Sequence, residues 1–80
     1  MTSTPDIKAL CERVSDMLGK ESVSSDDRLV EDLGAESIDL VSLVAEMEEM
    51  CHVTIPEEDL ARVHTVRDLH DVISSAKKRA

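Results

Sequence analysis

The sequence predicts an all-α fold, a small antiparallel helical bundle of three main helices plus one short helix. Three stretches repeat Leu, Val, Ile, Met or Cys at helical spacing. The one extended run, Val53-Thr54-Ile55, is ended by Pro56 and finds no second strand, and a lone strand leaves its backbone hydrogen bonds unmade. Eighty residues suit one small domain of modest burial, expected over 1–80, with 1–3 and 77–80 frayed.

Thr4 is the expected cap of the first helix and Pro5 its first residue. Ile7, Leu10, Cys11, Val14, Met17 and Leu18 form its stripe, and Gly19 marks its stop, so the helix covers about 5–18. Residues 19–36 form a long connection, and such loops in a small domain are often functional. Ser24, Ser25, Asp26 and Asp27 are its turn formers, and Val23, Leu29, Val30 and Leu33 its apolar anchors. A short helical turn fits around Asp27 to Glu31.

The second helix is expected from Ser37 to Met50 or Cys51. Leu40, Leu43, Val44, Met47 and Cys51 make its core stripe. Ile38, Val41 and Ala45 fall on a neighbouring face, bordered by Asp39, Glu46, Glu48 and Glu49. Periodicity leaves that strip open between a widened core face and a surface that docks a partner. Pro56 to Leu60 starts a short acidic turn, with its acids at the positive end. Thr65 caps the last helix and Asp68 completes a capping box. Val66, Leu69, Val72, Ile73 and Ala76 are its stripe, and Lys77, Lys78 and Arg79 suit the negative end of its dipole.

The formal net charge is −9, and residues 31–60 hold ten acids and no base. Such a chain is a poor match for nucleic acid, and with no Phe, Tyr or Trp it cannot stack on bases. The acid block either keeps the protein soluble or steers a basic partner onto it. No apolar run is long enough to span a bilayer, so no membrane is expected and the expected location is cytoplasmic. Cys11 and Cys51 lie on apolar stripes and read as reduced, buried thiols. His52, His64 and His70 share no metal-ligand spacing, and Glu57-Glu58-Asp59 is not a calcium loop, so no metal is expected.

Ser37 stands apart from the other eight serines, which read as caps, turns or surface residues. The Gly34-Ala35 turn delivers it to the start of the acidic helix. Unpartnered N–H groups and the positive dipole end there favour an attached phosphate. Read without its surrounding motif, Ser37 is simply a helix cap. No His or acid stands at a spacing that would make it a triad nucleophile, so no catalytic residue is assigned and the chain is not read as an enzyme.

Asp32-Leu33-Gly34-Ala35-Glu36-Ser37-Ile38-Asp39, then Val41, Leu43, Val44, Glu48 and Glu49, then Ile55-Pro56-Glu57-Glu58 and Thr65-Val66, resembles the acyl carrier protein family over about residues 26–75. The resemblance implies a discrete, type II carrier with 4′-phosphopantetheine on Ser37, added from coenzyme A by a Mg²⁺-dependent transferase. The arm's thiol would hold acyl groups as thioesters. It also implies a docking face of Glu36, Ile38, Asp39, Val41, Ala45, Glu48 and Glu49, and a cavity between helices that shelters an acyl chain. Charge reversal at Glu48 and Glu49 is expected to slow docking with the fold intact.

The implied partners are a phosphopantetheinyl transferase and acyl-transferring and synthase enzymes with basic patches. They would meet a monomeric carrier in fatty acid or related lipid synthesis, or second in polyketide synthesis. Alternatives are a peptidyl or aminoacyl carrier, or an unmodified acidic helical adaptor that binds basic partners. Three residues depart from the family pattern. Glu36 replaces the usual Asp before the serine, Ala45 a bulky Met, and Cys51 an aromatic plug. They bear on how the helix starts, on a partner contact and on the size of the acyl pocket.

Overall fold

The first helix starts two residues later than its sequence signals predict. In the computed structural model, which describes residues 5–78, α1 spans Ile7–Leu18. Its cap is Asp6, whose carboxylate accepts the Ala9 N–H at 2.8 Å. Pro5 therefore precedes the helix, and the expected Thr4 cap lies outside the described residues, as do 1–3 and Arg79. Two good caps two residues apart compete, and the sequence cannot rank them. Gly19 ends α1 in the left-handed conformation, at φ +67°, as its position predicts.

The second helix, α2, spans Ser37–Cys51 and is closed by His52, a non-glycine residue at φ +53°. A two-residue strand, β1 (Val53–Thr54), leads to the short α3 (Glu57–Leu60). The last helix, α4 (Val66–Ser75), is followed by β2 (Lys77–Lys78).

β1 and β2 correct two expectations. They pair antiparallel, Val53 opposite Lys78 and Thr54 opposite Lys77, so the extended run has a partner after all. Lys77 and Lys78 neither fray nor extend α4, because Ala76 turns the backbone to an extended conformation. The partner strand is only two residues long and more than twenty residues away, which no local pattern reveals. The architecture remains mostly helical.

The core forms where the stripes meet. Leu10 and Val14 of α1, Leu43, Val44, Met47 and Cys51 of α2, and Val66, Leu69 and Ile73 of α4 are buried together. Cys51 is fully buried, whereas Cys11 is only half-buried, and neither is in a disulfide. Burial pushes both thiols above their usual pKa.

The connection from Gly19 to Glu36 is laced to the start of α4. Leu29 N–H donates to His64 C=O at 2.8 Å, Val66 N–H to Asp27 C=O at 3.2 Å and Arg67 N–H to Ser25 C=O at 2.9 Å. Around Asp27 to Glu31 there is a chain of turns and no helix. Asp32 accepts the Arg28 N–H on its carboxylate, and its own N–H donates to Arg28 C=O. Leu29, Leu33 and Ala35 are buried, but Val30 is exposed and is no anchor.

The predicted capping box of α4 is complete. Asp68 N–H donates to Thr65 Oγ1 at 3.0 Å, and the Asp68 carboxylate accepts N–H groups from Thr65 and His64. Those two bonds, Thr65 first, hold the Asp68 carboxyl below its usual pKa. A carboxylate depressed in the folded state contributes stability above its unfolded pKa, about 3.9, and loses it as pH falls through the folded value. Thermal melts between about pH 6 and pH 3 should show Asp68→Asn losing less stability than wild type below about pH 4. Identical acid profiles would remove Asp68 from the acid response.

Candidate functional site

Ser37 is placed by a tight turn closed by local backbone bonds. Gly34 N–H donates to Val30 C=O at 3.1 Å, and Ala35 N–H to Leu29 C=O at 2.8 Å. Gly34 lies at φ +71°, a conformation that side chains rarely adopt. Leu33 and Ala35 on either side are buried, so the turn is pinned to the core while Glu36, Ser37 and Ile38 emerge into solvent.

The N-cap of α2 is Glu36, with β-region backbone, and Ser37 is the first helical residue. Ser37 is therefore not the cap that its position alone would suggest. Asp39 stabilises this start by accepting the Glu36 N–H at 2.9 Å. The departure at residue 36 thus leaves the helix start supported by the acid two residues after Ser37. The first helical bond runs from Leu40 N–H to Glu36 C=O at 3.1 Å. The N–H groups of Ser37 and Ile38 have no carbonyl four residues back within the helix, which leaves them at its positive end.

An apolar pocket of about 220 Å³ opens beside Ser37. Leu40, Val41 and Val44 of α2 line it from one side, and Leu60 and Val63 from the segment that begins with α3. Leu29 closes it on the side of the turn. Cys51 is buried and does not line it.

These features fit a phosphodiester-linked group with a long, partly apolar arm. Ser37 is exposed at the helix start. Donors stand next to it, and an apolar cavity opens alongside.

The two strips of α2 separate cleanly. Leu43, Val44, Met47 and Cys51 are buried, while Ile38 is 69% exposed, Val41 67% exposed and Ala45 exposed. The second strip is thus not a widened core face. The acids beside it differ from one another. Asp39 holds the helix start, and Glu46 is paired with Arg13 of α1.

Glu48 is half-buried and accepts the Ile55 N–H at 2.8 Å, joining α2 to the segment after β1. It was expected only as a docking acid, and no helical pattern reports a side-chain bond to a backbone group seven residues on. Reversing its charge therefore perturbs the fold as well as the surface. Glu48→Ala should lower Tm by about 4–8 °C, from about 1 kcal/mol of lost bonding. An unchanged melt would show that water replaces the contact.

The three histidines serve the fold. His52 closes α2, His64 offers its backbone to Leu29 and Asp68, and His70 Nε2 lies 2.9 Å from Pro5 C=O. Among the described residues, no three His, Cys, Asp or Glu side chains converge as a metal-binding group. No described helix is long and apolar enough to cross a membrane.

Comparison with known proteins agrees with this geometry. A family model for the phosphopantetheine attachment site matches residues 8–73. The chain is 35% identical over 78 residues to an acyl carrier protein of Syntrophobacter fumaroxidans, covering 90% of this chain and 96% of that one. It is 38% identical over 61 residues to one from Chloroherpeton thalassium, covering 76% of each. A third, from Campylobacter jejuni subsp. doylei, is 33% identical over 79 residues, covering 98% of this chain and all of that one.

Proposed function

Since this chain belongs to the acyl carrier protein family, whose members are carriers and not catalysts, we propose that Ser37 bears the 4′-phosphopantetheine arm. The single observation that carries this is the exposed Ser37 hydroxyl at the first turn of α2, beside an apolar pocket. When bound, the group supplies a thiol that holds acyl chains as thioesters. Ser37 Oγ supplies the point of attachment, and the N–H groups of Ser37 and Ile38 offset the phosphate's charge. Leu40, Val41, Val44 and Leu60 keep water away from an apolar chain that turns inward.

Partners dock on α2 and its cap, around the exposed Glu36, Ile38, Val41, Ala45 and Glu49 and the half-buried Asp39. The ten acids of residues 31–60, with no Lys or Arg among them, draw basic surfaces to it, and exposed charge pairs screened by salt let them leave quickly. Those partners are the transferase that loads the arm and the enzymes of fatty acid or related lipid synthesis. The carrier moves among them as a single chain in the cytoplasm. Tethering raises the local concentration of the acyl group at each active site.

The experiment is intact-mass measurement after incubation with coenzyme A, Mg²⁺ and a broad-specificity phosphopantetheinyl transferase. A carrier gains the mass of one phosphopantetheine. An unmodified adaptor gains nothing, and that result would reject the reading.

A further inference from the structure

Four large apolar side chains are exposed among the described residues: Val30, Ile38, Val41 and Met50. The docking strip of α2 accounts for Ile38 and Val41. Met50 lies near the other end of α2, about 20 Å from Ser37 at about 1.5 Å per residue. Val30 is 56% exposed, and its place is different. Its carbonyl accepts the Gly34 N–H in the turn that delivers Ser37. The preceding residue, Leu29, lines the pocket together with Ser37 and Val41. Val30 thus sits exposed on the turn that leads into Ser37, next to a pocket-lining residue and not itself in the pocket wall.

The turn that presents Val30 is firmly held. Leu29 N–H is bonded to His64, Arg28 N–H to the Asp32 carboxylate, and the Arg28 guanidinium to Glu31. An apolar side chain fixed in water on a well-held turn loses little conformational freedom when a partner covers it. The two residues after it, Glu31 and Asp32, are exposed acids.

We propose that Val30 is a docking contact for the phosphopantetheinyl transferase, completing with Ile38 and Val41 an apolar patch on both sides of Ser37. This rests on the carrier reading. The transferase surface that fits the patch is an apolar socket with a basic rim. Chemistry selects this partner over the later enzymes. In loading, Ser37 Oγ bonds to the phosphorus that carries pantetheine. The bond from that phosphorus to the nucleotide half of coenzyme A breaks, the nucleotide leaves, and a base on the transferase takes the hydroxyl proton. Bond formation brings the transferase into contact with whatever flanks the hydroxyl, on the turn as well as the helix. An enzyme reached through the arm has no such requirement.

The test is transferase loading of Val30→Ala, Val30→Lys and Met50→Lys, with transferase affinity for each unloaded protein measured without coenzyme A. Circular dichroism confirms that each variant is helical. Val30→Ala and Val30→Lys should each weaken affinity and kcat/KM about tenfold, chiefly through KM. Met50→Lys, the same charge change at the far end of α2, should stay within about twofold. Val30 variants that bind and load like wild type would overturn the proposal, as would Met50→Lys losing as much as Val30→Lys. Failure of the unmutated protein to gain mass would instead reject the carrier reading itself.

Discussion

Ser37→Ala should abolish loading completely while leaving the fold untouched. In the proposed loading the hydroxyl is the atom that forms the new bond, so no neighbouring group can substitute for it. Ser42, the other serine of α2, lies more than a helical turn further along, away from the pocket mouth. The variant should still melt within about 4 °C of wild type, since exposed substitutions usually shift stability by less than about 0.5 kcal/mol. The cap of α2 survives the change, because Glu36 and Asp39 form it without the Ser37 side chain. Intact mass and a thermal melt on the same sample check both halves. A residual mass gain would mean that the group attaches elsewhere.

Leu10→Ala should be the most damaging single truncation on the first helix. Leu10 is 1% exposed and lies where α1 packs on α4. Removing a buried leucine side chain costs about 2–5 kcal/mol in lost transfer energy and residual cavity. A domain of this size holds only about 4–12 kcal/mol in total. Tm should fall by about 10–30 °C, and the variant should approach a half-unfolded state at physiological temperature. Without aromatics elsewhere in the core, no large side chain stands ready to fill the gap. A drop of only a few degrees would show that Leu, Val and Met neighbours collapse into the space.

What could be read in the sequence was local. The start of α2 at Ser37, its end at Cys51, the stop at Gly19 and the Thr65–Asp68 box follow from spacing and cap chemistry within a few residues. So does the burial of Leu43, Val44 and Met47. Readings failed where the deciding contact is distant. The β1–β2 pair joins segments more than twenty residues apart, and Glu48 reaches past the end of its own helix to Ile55.

The exposure of Val30 was hidden for another reason. A loop has no periodicity, so an apolar residue there cannot be assigned to the inside or the outside. The face formed by Ile38, Val41 and Ala45 was ambiguous because a helix stripe gives direction and not neighbours. Only the placement of α1, α3 and α4 shows that nothing covers it. At Ser37 itself, the motif singles out the serine by sequence alone. It did not tell that Glu36 is the cap and Ser37 the residue after it.

The most direct test is to locate the added mass. Trypsin cuts after Arg28 and Arg62, so one peptide holds both Ser37 and Ser42, and fragmentation of the loaded peptide separates them. Phosphopantetheine found on residue 37 alone is the expected outcome. The group found on Ser42 or on any other peptide would contradict it.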